Sequence, residues 1–150
     1  MKNEQTVDAL NTLITINNDR IQGYETASED TKAQDLKTLF AKLGATSQKC
    51  NRELRSEVNR LGGTAAEGTK TMGKFFRVWM DVKAAFTGND RRAILESCEY
   101  GEDQAVHTYE DVLADEAEHL SAEQQAMIRA QHTLIKADHD EVKALRDATA

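Results

Sequence analysis

The 150-residue chain has no proline and only two cysteines. Proline in a helix interior costs about 3 kcal/mol, so its absence lets long helices run unbroken. Cys50 and Cys98 stand alone without C-x-x-C spacing, which predicts reduced, buried thiols rather than a disulfide. No stretch approaches the roughly 18 consecutive apolar residues of a membrane helix. The opening "MKNEQTVDAL" lacks the apolar core of a signal peptide, so a cytoplasmic location is expected. Basic residues are outnumbered as well, 19 Lys and Arg against 26 Asp and Glu, for a net charge of −7. Nucleic acid is therefore not an expected partner, because phosphate binding needs clustered cations.

What the chain does have is heptad-like patterning. Val7, Leu10, Ile14, Asn17, Ile21, Tyr24 and Ser28 recur at alternating spacings of three and four, the mark of a helix with one buried stripe. A second stripe runs Leu36, Phe40, Leu43, Ser47, Cys50, Leu54, Val58 and Leu61, and Gly62-Gly63 ends it. After a loop at 62–70, Phe75, Trp79, Val82 and Phe86 share one face of a shorter helix over 71–86, and Asn89 or Asp90 is placed to cap the helix that follows. The third long stripe is Leu95, Cys98, Glu102, Ala105, Tyr109 and Val112. Ser121 and Gln124 form a capping-box pattern that opens the last helix, with Ile128, Gln131, Ile135, Asp138, Val142 and Leu145 facing inward. About 28 residues separate the second and third long helices, enough to cross the length of a bundle. The expected fold is all-α: one domain over 1–150, a ferritin-like four-helix bundle with one long crossover that carries a short fifth helix.

Each stripe is interrupted by polar residues near its middle: Asn17, Ser47, Glu102 and Gln131, with Asp138 one heptad after Gln131 and Asn51 at the edge of the second stripe. An unpartnered buried polar group costs roughly 1–3 kcal/mol, so these residues are expected to meet in one hydrogen-bonded layer. The hydroxyls of Tyr24 and Tyr109 belong to the same layer. Such a layer can fix helix register, as a single buried Asn does in coiled coils. Glu102→Leu is the diagnostic change: neutral or stabilising in a slack layer, strongly destabilising if its partners depend on the carboxylate. Tyr-Glu recurs at 24–25 and 109–110, and "SEVNRL" at 56–61 answers "DEVKAL" at 140–145, as a duplicated helix pair would leave.

The runs I-N-N-D-R-I-Q-G-Y-E at 16–25, "LRSEVNRLGG" at 54–63, "WMDVKAAFTGND" and "SCEYGED" at 97–103 resemble a bacterial family of ferritin-like four-helix-bundle proteins that constitutes a domain of unknown function. The resemblance spans essentially the whole chain and implies the bundle, without an established chemistry; it also suggests a setting in stress physiology.

Ferritin-like dinuclear centres take a Glu from each of two helices and a Glu-x-x-His from each of the other two. Glu102 suits such a position, but Asn17, Ser47, Asn51 and Gln131 are neutral, and the second helix holds no His. The one literal Glu-x-x-His, Glu116 to His119, falls at the end of the third helix and reads as a surface coincidence. No intact diiron site is expected, and no cofactor is assigned. A divalent metal remains an alternative, with Glu102, Asp103, His107, His132 and His139 as the residues at ligand-compatible spacings: Asp103 with His107 and Glu110, and His132 with His139. The aromatic face of the crossover, Phe75, Phe76, Trp79, Met80 and Phe86, reads as a lid over the bundle or as a surface for a second copy or another protein. The expected function is non-catalytic, that of a binding or structural bundle protein.

Overall fold

A computed structural model describes residues 2–67 and 91–149. Four long helices account for most of them: α1 (Lys2–Asp30), α2 (Gln34–Arg60), α3 (Arg91–Asp115) and α4 (Ala122–Ala148), with a single 3-10 turn at Ala117–His119. Among the described residues there is no strand. The helices pack side by side as a bundle, α1 mainly on α2 and α3 mainly on α4, with lesser contacts between α1 and α3 and between α2 and α4.

The helix ends follow local chemistry. α2 closes in a Schellman motif, in which Gly63 N–H reaches Val58 O and Gly62 N–H reaches Asn59 O, with Gly62 at φ 77°. Gly63 cannot carry a side chain without moving its neighbours, since a Cβ there would lie 2.7 Å from Val7 Cγ2. At the start of α4 the capping box forms as the sequence predicts: Gln124 N–H donates to Ser121 Oγ at 3.0 Å, and Ser121 N–H donates to Gln124 Oε1 at 2.8 Å. The expected Asn89 or Asp90 cap and the 71–86 helix lie outside the described residues.

Cross-helix contacts fix the topology. Arg91 at the start of α3 pairs with Asp35 at the start of α2, whereas Gln124 at the start of α4 donates to Glu57 near the end of α2 at 2.7 Å. Thr6 Oγ1 donates to His119 O, which sets the α3–α4 turn beside the start of α1. Adjacent helices are thus antiparallel, while α2 and α3 run in the same direction. Arg60 and Arg91 stand at opposite ends of the bundle.

The apolar core forms two clusters. One holds Leu10, Leu13, Ile14, Leu54, Val58, Val112, Ile128 and Ile135; the other holds Leu36, Phe40, Leu43, Ile94, Leu95 and Val142. Tyr24 stacks on Phe40 within the second, ring centroids 5.7 Å apart. The inward positions follow the sequence stripes, with Val7, Ser28 and Leu61 near the helix ends only half-buried, and depart from them at Leu145 and at Ile21. Leu145 is 37% exposed. In α1, Arg20 is fully buried while Ile21 lies only half-buried at the helix edge. Cys50 and Cys98 are buried free thiols, as expected.

Candidate functional site

Between the two apolar clusters lies a polar waist to which all four helices contribute. Asn17, Arg20, Ser47, Glu102 and Gln131 are all buried there, Arg20 at 1% exposure and Glu102 at 0%. The waist is not one layer but two hydrogen-bonded groups.

The first is a neutral relay. Asn17 Nδ2 donates to Leu13 O and to the Tyr109 hydroxyl, each at 2.8 Å. Tyr109 in turn donates to Gln131 Oε1 at 2.7 Å. Gln131 Nε2 then donates to Glu53 Oε1 at 2.9 Å and to Cys50 O at 3.3 Å. Burial holds the Tyr109 phenol far above its ordinary pKa, so it remains a proton donor.

The second group is ionic and centres on Arg20. Its Nη2 lies 2.7 Å from Glu102 Oε1 and 3.3 Å from Asp138 Oδ2, and its Nη1 donates to Ser47 Oγ. The Tyr24 hydroxyl donates to the same Glu102 oxygen. Burial opposes the charge on Arg20, but Glu102, Tyr24 and Asp138 outweigh it and hold the guanidinium protonated above its usual range. Tyr24 is pushed well above 10 by burial and then by the Glu102 charge. Burial, more than the opposing Thr46 hydroxyl and Arg20, raises Asp138 above 3.8. Burial likewise lifts the Cys50 thiol to about 11 and raises Cys98 further, so both sulfurs stay protonated.

The single layer expected around Asn17 is therefore corrected. Asn17 joins Tyr109 and Gln131, while Glu102 joins Tyr24, Arg20, Ser47 and Asp138. Asn51 sits at the edge, donating to Asn18 Oδ1 at 2.8 Å. Arg20 was the missing member. Ile21 is the more hydrophobic of the two neighbours, which hid it, yet 17–20–24 keeps the three-four spacing as well as 17–21–24 does. Two acids at core positions, Glu102 and Asp138, were the signal that a cation had to be near.

His132 and His139 each meet a carboxylate of α3 from α4, which corrects the expected groupings of Asp103 with His107 and of His132 with His139. α3 and α4 are antiparallel, so each step of seven along one matches seven back along the other. Tyr109 meets Gln131 inside, and one position outward Glu110 Oε2 meets His132 Nε2 at 3.0 Å. Seven residues earlier, Asp103 Oδ1 lies 2.5 Å from His139 Nε2. Glu99 completes that group, a residue the sequence pattern did not single out. His107 is exposed one turn further along α3. Glu116 precedes the 3-10 turn and His119 ends it, with Oε2 and Nε2 3.9 Å apart, and Glu118 Oε1 lies 3.5 Å from the same nitrogen.

Residues 5–115 match the family described as a domain of unknown function (DUF2383). The chain belongs to this family. The matched span takes in α1, α2 and α3, hence Arg20, Ser47 and Glu102, and leaves α4 with Gln131, Asp138 and His139 beyond it. No curated protein matches the chain. Among the described residues no helix is long and apolar enough to cross a membrane.

Proposed function

We propose that this DUF2383 chain is a non-catalytic, ferritin-like bundle that acts as a binding or structural protein, and that its polar waist holds the four helices in register instead of holding a diiron centre. One observation carries the reading: a protonated arginine, Arg20, lies 2.7 Å from Glu102 in the middle of the bundle. A ferritin-like centre balances two divalent cations with four Glu and two His. Here the inward donors are Glu102 and Asp138, joined by the neutral Asn17, Ser47 and Gln131, and one guanidinium already pairs with both carboxylates. These residues do not fit a dinuclear iron centre. The parallel course of α2 and α3, which demands one long connection, supports the ferritin-like topology.

The test is anaerobic Fe(II) loading of the untagged protein followed by exposure to air, on wild type and Glu102→Gln. The reading predicts no pair of iron ions bound per chain and no rapid oxidation dependent on Glu102. Two iron ions per chain, lost in Glu102→Gln, would overturn it.

A further inference from the structure

Just outside the waist, on the seam between α3 and α4, Glu99, Asp103 and His139 converge. We propose that they form a site for one divalent transition-metal ion, with Zn2+ the best match to the donors. Glu99 and Asp103 are one helical turn apart on α3, and His139 faces them from α4; one ligand atom from each lies within 4.8 Å of the other two. His139 Nε2 stands 2.5 Å from Asp103 Oδ1 and 4.0 Å from Glu99 Oε1. Donors around a four-coordinate Zn2+ are separated by roughly 3.3 Å, which these two distances bracket. Small side-chain rotations suffice to close the set.

The histidine carries the argument beyond proximity. Its side chain is only 12% exposed, and Nε2 is buried without a hydrogen-bond partner, because the nearby carboxylate oxygens lie off the ring's N–H axis. On the other edge of the ring, Nδ1 meets Asp140 Oδ1 at 3.1 Å, and Lys136 Nζ holds that same oxygen at 2.7 Å. A carboxylate at Nδ1 favours the proton there and leaves Nε2 its lone pair, as the outer partners of zinc-binding histidines do, and a rotation of the ring would bring that lone pair to bear between Glu99 and Asp103. Arg146 pairs with the other oxygen of Glu99, Oε2, which leaves Oε1 toward the ring. Asp103 is 44% exposed, so the outward face of the site opens to water for a fourth ligand. One imidazole and two carboxylates form a donor set that Zn2+ accepts readily. Asp103 follows Glu102 and His139 follows Asp138, so a bound ion would clamp α3 to α4 at the level of the ionic cluster. The site shares no donor with the bundle centre, and its fate is independent of the proposed function above.

Equilibrium dialysis of the untagged full-length protein against Zn2+, with melting followed in parallel, tests the site. One Zn2+ per chain and a melting temperature that rises with free Zn2+ are expected. Asp140→Asn should weaken binding about tenfold by freeing the ring, and His139→Ala or Asp103→Asn by more. His107→Ala and His132→Ala should leave it unchanged. With Co2+ as a spectroscopic probe, the strong visible bands of a four-coordinate ion should appear in wild type and vanish in His139→Ala. Absence of binding, or binding that survives both His139→Ala and Asp103→Asn, would overturn the proposal and leave the group as a histidine–carboxylate ion pair.

Discussion

The neutral relay and the ionic cluster are both buried, are drawn from the same four helices and lie one or two helical turns apart. They differ in what each would leave behind if broken. In the relay, Asn17, Tyr109 and Gln131 exchange ordinary hydrogen bonds, and losing one strands neutral groups. In the cluster, Arg20, Glu102 and Asp138 are charges withdrawn from water, each tolerable only because of the others. Desolvating an ion costs several kcal/mol even after relaxation, and this penalty, more than the number of contacts, decides where the bundle is vulnerable.

Breaking the charged side should therefore have the largest effect. Arg20→Met leaves Glu102 and Asp138 facing each other without a cation and should cost about 3–5 kcal/mol by denaturant unfolding. A loss below about 1 kcal/mol would place the two groups on an equal footing. On the neutral side, Tyr109→Phe removes the hydroxyl that links Asn17 to Gln131 and should cost about 1–3 kcal/mol by the same measurement. If it matched Arg20→Met, charge would not be what separates the two.

The smallest effect sharpens the comparison through pH. Burial raises Asp138 above 3.8 in the folded state, so the folded protein holds its proton more tightly than the unfolded chain does. Between 3.8 and the folded value, stability from this group falls as pH rises, and the penalty is complete above the folded value. Asp138→Asn removes this dependence. The stability of wild type relative to Asp138→Asn should thus improve as pH is lowered from 7 toward 4, read from unfolding curves at each pH. The opposite slope would mean that Arg20 outweighs burial at this carboxylate.

Much of this architecture is legible in the sequence. The absence of proline, the stripes, Gly62-Gly63 and the Ser121–Gln124 box announce α1 to α4 and their ends, and Asn17, Ser47, Glu102, Gln131 and Asp138 stand out as polar residues on apolar faces. Arg20 escapes because helical spacing tolerates either of two adjacent residues on a stripe, and hydrophobicity favours Ile21. The division into two groups escapes because it depends on which helices are neighbours, and one stripe carries no such information. The pairing of Asp103 with His139 has the same origin: it arises from the antiparallel register of α3 and α4, whereas spacing along one helix points to His107. Leu145 shows the reverse error, an apolar residue in phase with its stripe yet 37% exposed.

Mutual dependence among three buried charges holds the waist. The most direct test compares unfolding of Glu102→Leu with that of the triple replacement Arg20→Met, Glu102→Leu and Asp138→Leu. Arg20 Nε and Glu102 Oε2 have no hydrogen-bond partner among the described residues, so the cluster is incompletely satisfied and an apolar substitute forfeits little. Glu102→Leu alone should lose about 3–5 kcal/mol, and the triple variant should recover to near wild type or above it. A neutral Glu102→Leu, or a triple variant no more stable than the single one, would contradict that dependence.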